Sequence, residues 1–438
     1  MSKEIKRAVS VSELAKQLMT LDDFLVGCMR CGLCQAVCPV YGTTMKEADV
    51  SRGKIALVEN LAHEIIKDVD GVSKRLERCL LCGSCQANCP SGVGTMDIFL
   101  RSRRLVVGYK GLSPIKKLIF RFILPHPGLM NFFVRVSSWF QNLFLRKVNE
   151  KTDTVEAPLL RPFVGKRHFQ PLEGRSFSAK SGCINIPVGK SGIKVAFFPG
   201  CVPDKLFVRL SDATMKVFEK HGVGVFMPAH LACCGIPNLA SGDHDSFKRL
   251  VQINLKLLAE ADFDYLVSPC ATCASNIKEN WFRFKEDFTS DEQCQIEKLH
   301  GQVMDITAFL VDVLKIDVKD SEEKAGVRKV TYHDSCHLKK SLGVSAQPRA
   351  ILKSLRGFQF VEMPEADRCC GSGGSFTLTQ HALANKIGKR KRDNIVSVKP
   401  DIVAVGCPAC MLQLMDMLSQ NGDNVSVKHV VELYADSL

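Results

Sequence analysis

The residues of this chain best suited to chemistry are its cysteines, eighteen of which, out of twenty, fall into four blocks of two kinds. The first kind, CxxCxxCxxxCP, occurs twice and ends at Pro39 and at Pro90. Such a run holds four-iron clusters: its CxxCxxC turn offers three thiolates to one cluster, and its fourth cysteine serves the other cluster. Zinc is a poorer alternative, because zinc sites usually need only two CxxC pairs. The spacing therefore predicts one cluster on Cys28, Cys31, Cys34 and Cys89 and a second on Cys79, Cys82, Cys85 and Cys38.

The second kind of block also occurs twice and consists of one cysteine, an adjacent Cys-Cys pair and a CxxC. The two copies are offset by 135 to 137 positions throughout. An offset that drifts so little indicates an internal duplication. The members are Cys201, Cys233, Cys234, Cys270 and Cys273 in the first copy, and Cys336, Cys369, Cys370, Cys407 and Cys410 in the second.

Helices must position the first two blocks, because helical patterns precede them (SVSELAKQLMTLDDFL) and separate them (GKIALVENLAHEIIKDV). We therefore expect a helical two-cluster module over residues 1–110. Residues 111–190 are basic and contain seven prolines, Pro162 among them, which predicts an irregular connector without long elements.

Strands must position the other two blocks, because apolar β-branched runs end at Cys201, Cys270, Cys336 and Cys407. Helical patterns follow these runs, and the alternation predicts parallel sheets covered by helices. Sites in such sheets collect beyond the carboxyl ends of the strands, so thiolates from separate loops can meet there. The predicted fold class is α+β and multidomain: an N-terminal all-α module, then two tandem α/β domains with parallel sheets at residues 191–322 and 323–438.

Composition and charge restrict the cellular compartment and the partners expected for the chain. At 46% hydrophobic and 24% charged residues, 438 residues predict several soluble domains. The opening MSKEIKRAVS has no apolar signal core, and metal-binding thiolates need a reducing compartment, so we expect a cytoplasmic location. The net charge of +13 is scattered and accompanies no nucleic-acid-binding motif, which argues against a nucleic-acid partner.

The five-cysteine blocks resemble the CCG domain of heterodisulfide reductases and of the iron–sulfur subunits of glycolate, lactate and anaerobic glycerol-3-phosphate dehydrogenases. The stretch Ser51-Arg52-Gly53-Lys54-Ile55 resembles the RGRI element of the glycolate oxidase iron–sulfur subunit, and RCLLCGSCQANCPSGV and CCGSGGSFTLTQHALA fit the same subunit. The resemblance implies one or two further four-iron clusters, cubane or non-cubane, on the five-cysteine sets named above. Zinc or a purely structural role for one set is the alternative. Cys270 and Cys273 form a CxxC that the glycolate subunit tends to lose. Its presence favours the number of clusters found in the heterodisulfide reductases.

The function implied by the resemblance is that of an electron-transfer subunit in an FAD-dependent 2-hydroxy-acid dehydrogenase, of the glycolate or D-lactate kind. An FAD-linked oxidase subunit would carry the flavin and oxidise the substrate, and this chain would pass electrons to a quinone or another carrier. We expect no catalytic or nucleotide-binding residue here, because the sequence has no dinucleotide fingerprint, Ser-His-Asp set or paired carboxylates. Two alternatives stay open: a heterodisulfide-reductase-like catalytic subunit, and an anaerobic glycerol-3-phosphate dehydrogenase iron–sulfur subunit.

Two weaker features have more than one interpretation. His333 and His337 flank Cys336 and are predicted to support the site rather than to bind iron, because five cysteines are already present. The basic, aromatic-rich segment between Pro114 and Lys147 is too interrupted to span a bilayer. Packing within the protein or on a partner subunit is favoured for this segment, and peripheral contact with the inner face of the cytoplasmic membrane is the alternative.

Overall fold

The computed structural model describes residues 10–160, 165–320 and 327–438. The first nine residues, Pro162 and the predicted boundary between residues 322 and 323 lie outside this described part. The chain forms two compact units, and each unit is built from three separate stretches. The first unit comprises Met1–Phe122, Gly235–Arg249 and Gly371–Ile387, and the second comprises Ile123–Cys234, Leu250–Cys370 and Gly388–Leu438. The four-part division made from the sequence stays a prediction.

The N-terminal part of the first unit is helical, as expected. Ser10 caps the first helix by accepting a hydrogen bond from the Glu13 N–H, and this helix buries Leu14 and Leu18. The second helical pattern of the sequence forms a helix that stops at Ala62. The helices are α1 Val11–Met19, α2 Asp22–Leu25, α3 Cys34–Val37, α4 Tyr41–Thr44, α5 Ser51–Ala62, α6 Val69–Glu77, α7 Ser84–Ala87, α8 Thr95–Lys110 and α9 Pro114–Leu118.

The connector is more regular than its prolines suggested, and the expectation of no long element was wrong. An 18-residue helix, α10, spans Pro127–Phe144 and has proline in its first turn, where the missing N–H breaks no hydrogen bond. Among the helices of the described residues, none combines the length and apolar character needed to cross a bilayer. After α10 come a small antiparallel sheet of β1 Arg146–Asn149, β2 Thr154–Glu156 and β3 His168–Phe169, then α11 Phe177–Ser181 and β4 Ile184–Ile186.

The first cysteine-rich half contains a five-stranded sheet in the order β4-β6-β5-β7-β8. The strands predicted before Cys201 and Cys270 are β5 and β7, which pair in parallel. The sheet is mixed rather than wholly parallel, because β4 from the connector pairs antiparallel with β6 and covers an otherwise open edge. The elements are β5 Lys194–Phe197, α12 Cys201–Lys205, α13 Val208–His221, β6 Gly224–Met227, α14 Ile236–Ala240, α15 His244–Leu258, β7 Tyr265–Ser268, α16 Ala271–Ser275, α17 Ser290–Gln302, β8 Val303–Asp305 and α18 Ile306–Ala308.

The second cysteine-rich half contains a four-stranded, all-parallel sheet in the order β10-β9-β11-β12. The strands predicted before Cys336 and Cys407 are β9 and β11, which are neighbours as β5 and β7 are. The elements are β9 Arg328–His333, α19 Ala346–Ser354, β10 Phe358–Phe360, α20 Ser375–Thr379, α21 His381–Ser397, β11 Ile402–Val405, α22 Pro408–Gln420, β12 Ser426–His429 and α23 Val430–Asp436. The chain is therefore α+β and multidomain, with a helical N-terminal region and sheets in both cysteine-rich halves.

Short 3-10 and π segments complete the backbone. The 3-10 segments are Glu47–Asp49, Pro158–Leu160 and Lys285–Asp287, and the π segments are Ile119–Ile123, Asn276–Trp281, Phe309–Val313 and His337–Ser341. The last of these π segments begins directly after Cys336.

Candidate metal centres

The cysteines of the first unit surround two cavities. Cys28, Cys31, Cys34 and Cys89 line one cavity, which Cys85 also reaches. Cys79, Cys82, Cys85 and Cys38 line the other. Each cavity thus combines three cysteines of one run with the fourth cysteine of the other run. This is the grouping that the spacing suggested, although the assignment of iron ligands stays a prediction.

The segment Ser51–Ile55 begins α5 and reaches both cavities. Ser51 lines both of them, Arg52 lines the first and Lys54 lines the second. Arg52 donates hydrogen bonds to Glu47 and, over 3.0 Å, to the carbonyl oxygen of Arg30. Lys54 is 2% exposed and donates to the carbonyl oxygen of Asp49. Two cations therefore stand beside the thiols, which suits an occupant with net negative charge.

A further buried cation, Arg103 of α8, contacts the backbone of Cys79, which lines the second cavity. Its guanidinium donates to the carbonyl oxygens of Cys79 at 2.8 Å and of Ala240 at 2.6 Å, all within the first unit. Burial lowers the pKa of Arg103, and the neighbouring Cys79 opposes that change. Burial also raises the pKa of Cys38 to about 11 and that of Cys85 to about 12. Buried thiols of this kind lose their protons when a metal cation takes the place of the protons.

The five cysteines of the first CCG-type block gather at the carboxyl ends of β5 and β7. Cys201 begins α12, and Cys270 caps α16, which contains Cys273. The thiol of Cys233 hydrogen-bonds that of Cys201, which together with burial holds the pKa of Cys201 well above its usual range. Hydrogen bonding to Cys234 and to Cys270, with burial, raises the pKa of Cys273 in the same way. All five thiols thus have thiol neighbours.

A polar frame holds the Cys-Cys pair of this block. The carbonyl oxygen of Cys234 accepts from Asn276 at 2.7 Å and from Trp281 at 3.0 Å, and both side chains are buried. Asn254 accepts from the Ala232 N–H at 2.9 Å and donates to the Cys233 carbonyl oxygen at 3.1 Å. Such contacts fix the orientation of side chains that could hold a metal.

The second CCG-type block has the same layout at the ends of β9 and β11. Hydrogen bonds from Cys369 and Cys410 hold the pKa of Cys370 well below its usual range. Cys407 caps α22, which contains Cys410. Lys391 is fully buried nearby and donates to the carbonyl oxygens of Glu365 and Ala366. Burial lowers the pKa of Lys391, while the charges of the block's cysteines, Cys336 included, act to raise it.

The two CCG-type blocks meet, which sequence reasoning missed. Hydrogen bonds from Cys270 and then Cys410 hold the pKa of Cys407 well below its usual range. Thr272 Oγ1 lies 3.2 Å from the Cys407 sulfur, and His337 Nδ1 lies 3.1 Å from Thr272 Oγ1. The only sequence signal of this contact was that Cys270 and Cys407 occupy the same position in the two copies of the duplicated unit.

The donor set fits iron–sulfur clusters. The groups converging on each centre are almost all sulfur, the softest donor a protein offers, and buried cations accompany them. Iron-bound thiolates carry negative charge, which the Lys54, Arg103 and Lys391 side chains would offset. Cys183 and Cys294 lie outside the four blocks and are exposed free thiols.

Comparisons with known proteins agree with this arrangement. Residues 25–93 match the family model described as "4Fe-4S dicluster domain", and residues 195–278 and 330–415 match that described as "Cysteine-rich domain". The chain is 28% identical over 432 residues to the "Probable glycolate oxidase iron-sulfur subunit" of Bacillus subtilis, with 94% of each chain covered.

Two further relatives broaden the comparison. A subunit of the fumarate reductase (CoM/CoB) of Methanothermobacter marburgensis is 28% identical over 416 residues, which cover 93% of this chain and 71% of that one. Lactate utilization protein A of Oceanobacillus iheyensis is 32% identical over 241 residues, which cover 55% of this chain and 96% of that one. A solved aspartate racemase homologue from Pyrococcus horikoshii has a TM-score of 0.23 at 13% identity over 56% of this chain and 96% of its own, too low to support an argument.

Proposed function

Because the chain belongs to the family of the glycolate oxidase iron–sulfur subunit, with its dicluster domain and two cysteine-rich domains, we propose that it is the electron-transfer subunit of an FAD-dependent 2-hydroxy-acid dehydrogenase. The family predicted from the sequence is confirmed. The names of the relatives and the iron–sulfur domains support a role in electron transfer for glycolate or lactate oxidation. The flavin and the substrate-oxidising chemistry belong to a partner, the FAD-linked oxidase subunit.

The observation that carries the proposal is that cysteines gather in both units. Eight cysteines line two separate cavities in the first unit, and the ten of the five-cysteine blocks lie in the second unit, where thiol contacts run from Cys273 through Cys270 and Cys407 to Cys410. Clusters held there would divide the electron pair of a flavin into single-electron steps. We propose as ligands the sets predicted from the sequence: two crossed sets of four and two sets of five. Neighbouring polar side chains would orient the thiolates, and the cations among them would balance the thiolate charge. These side chains are Ser51, Arg52, Lys54, Arg103 and Lys391.

We propose a quinone as the acceptor, because an apolar cavity adjoins the first five-cysteine block. The cavity measures about 480 Å³, a volume that includes the open solvent at its mouth. Cys201 and Cys233 form part of its wall, opposite Pro127 and Met130 of α10. The remaining lining includes Leu124, Phe198, Met227, Pro228 and Leu231, with Ser178, Asp204 and Lys205 as polar groups.

The outer face of α10 supports contact with an anionic membrane surface beside this cavity. One face of the helix carries apolar residues spaced three, four or seven positions apart, all of them exposed: Leu129, Phe132, Phe133, Trp139, Phe140, Leu143 and Phe144. Asn131 and Gln141, on the opposite face, accept or donate hydrogen bonds within the protein. No Asp or Glu occurs between Asp97 and Glu150, whereas Arg135, Arg146 and Lys147 are exposed. An apolar face with basic surroundings is typical of helices that lie in a bilayer interface.

A second candidate function is reductive cleavage of a disulfide, as in the heterodisulfide reductases. The contact between Cys270 and Cys407 favours it, because both CxxC segments are intact and adjacent. The reductant would be an electron carrier that supplies two electrons and two protons for each disulfide converted to two thiols.

The experiment is purification of the native complex under anaerobic conditions, followed by flavin, iron and sulfide analysis. We expect an FAD-containing partner, iron and labile sulfide on this chain, and 2-hydroxy-acid oxidation coupled to quinone reduction only when both subunits are present. A flavoprotein that reduced quinone equally fast alone would contradict the proposal. Consumption of a disulfide by the reduced chain, with no flavoprotein partner, would support the second candidate instead.

A further inference from the structure

One histidine at the second CCG-type block is buried beside two of the block's sulfurs. His333 ends β9 and is 0% exposed. Its Nε2 atom is buried, and the imidazole lies within hydrogen-bonding reach of the Cys370 thiol. One ring nitrogen of His333, the sulfur of Cys370 and the sulfur of Cys410 all lie within 4.8 Å of one another.

The other ring nitrogen shows which tautomer the histidine adopts. His333 Nδ1 lies 3.3 Å from the carbonyl oxygen of Ala366. A carbonyl oxygen only accepts, so Nδ1 carries the hydrogen and, in the neutral ring, Nε2 keeps a lone pair that can bind a metal. Metal-binding histidines are held in this way, with one nitrogen donating to a backbone carbonyl and the other free for the metal.

The duplication supplies an internal comparison. The offset of 135 positions between Cys201 and Cys336 aligns His333 with Phe198, which directly follows the equivalent strand. Phe198 is also buried, so the first block has an apolar ring where the second has an imidazole. The two blocks, alike in their five cysteines, therefore differ in the donors that they offer.

We propose that His333 binds iron through Nε2 at the second CCG-type block, which then offers nitrogen as well as sulfur, whereas the first block offers sulfur alone. The inference rests on the proposed presence of iron at this block. Replacement of thiolate by imidazole raises the reduction potential of iron–sulfur centres. The second block is accordingly the more oxidising of the two.

The test is pulsed EPR of the holoprotein prepared with natural-abundance and with ¹⁵N-labelled histidine. We expect a nitrogen coupling of the size seen for iron-bound imidazole, which changes with the isotope. H333F places the residue of the first block in the second and should abolish this coupling and lower one midpoint potential. The signals of the first block provide the internal reference. H337F, which removes the neighbouring histidine, should retain the coupling.

The outcomes separate this inference from the proposed function. Wild-type protein with its iron complement but no coupling of this size would overturn the role of His333 and leave the proposed function standing. Persistence of the coupling in H333F would also overturn it. If H333F did not fold, the isotope comparison on the wild type would still decide whether any histidine binds iron, and H337F would show whether that histidine is His337. Wild-type protein without iron at the CCG-type blocks would refute the premise shared by the role of His333 and the proposed function.

Discussion

Buried cations are the single residues that most clearly support the cysteine sets. Lys54, Arg103 and Lys391 are each at most 8% exposed and reach carbonyl oxygens close to cysteines. The cysteine sets could be predicted from the sequence, because cluster geometry fixes the spacing of the ligands. The sequence could not single out these cations, because a basic residue in a chain with 59 of them carries no local signal of burial.

Lys54→Met should lower the midpoint potential of the cluster bound beside Cys38 and Cys79. The change keeps the aliphatic packing but removes the positive charge and leaves the Asp49 carbonyl oxygen without this donor, which should cost about 1–3 kcal/mol of stability. Redox titration followed by EPR and denaturant unfolding measure the two effects. Lys46→Met is the matched control, since Lys46 is exposed in the same segment. Equal shifts in the two variants would contradict a local effect of Lys54.

Gly200→Ala should abolish iron binding at the first CCG-type block. Gly200 has a φ of +83°, and a Cβ there would lie 2.8 Å from the sulfur of Cys273. Gly192→Ala separates backbone strain from the steric clash with Cys273, because Gly192 has a φ of +70° but open space around it. The control should lose only about 1–2 kcal/mol through backbone strain and keep its iron. Iron and sulfide analysis of both proteins decides, and full iron in the Gly200 variant would refute the steric argument.

At the scale of elements, the strands before the cysteines were predictable and α10 was not. Four apolar runs ending at cysteines indicate buried strands in any context, and all four form β5, β7, β9 and β11. Prolines near residue 125 suggested broken structure, yet Pro127 occupies the first turn of α10, where proline is tolerated. The antiparallel strand β4 was also missed, since pairing with β6 depends on the path of the connector.

The paired substitution Trp139→Ser with Leu143→Ser on α10 should weaken binding to anionic vesicles at least tenfold. These side chains are 68% and 75% exposed on the apolar face, so their removal should spare the fold. Co-sedimentation with vesicles containing phosphatidylglycerol, and with purely zwitterionic vesicles, provides the measurement. Ile186→Ser with Val188→Ser is the control, because these exposed apolar residues lie outside α10. Unchanged vesicle binding, or loss of flavoprotein binding instead, would assign the face to a protein partner.

At the scale of the whole molecule, the duplication predicted two like halves but not their contact. The constant offset between blocks requires similar folds, and both halves place two neighbouring parallel strands before their cysteines. The meeting of Cys270 with Cys407 depends on how the halves pack, which spacing does not encode. The discontinuous units are likewise invisible in the sequence, because contacts between distant stretches leave no local pattern.

Chelation under anaerobic conditions should remove iron in two phases. The set containing Cys31 should lose iron first, because Cys31 is exposed, whereas eight of the ten cysteines in the five-cysteine blocks are buried. The second phase should follow global unfolding, since those thiols open only when the sheets do. Iron release and circular dichroism recorded together test this expectation. A single phase independent of unfolding would contradict it.

The chain leaves the second unit directly after each Cys-Cys pair, at Gly235 and again at Gly371. The helical unit at the amino terminus therefore incorporates segments translated long after its own cysteines. A ribosome must have synthesised residue 387 before that unit has all its parts, so its maturation cannot finish early in translation. Delivery of iron and sulfide to the amino-terminal thiols must either wait for that moment or proceed on an incomplete scaffold.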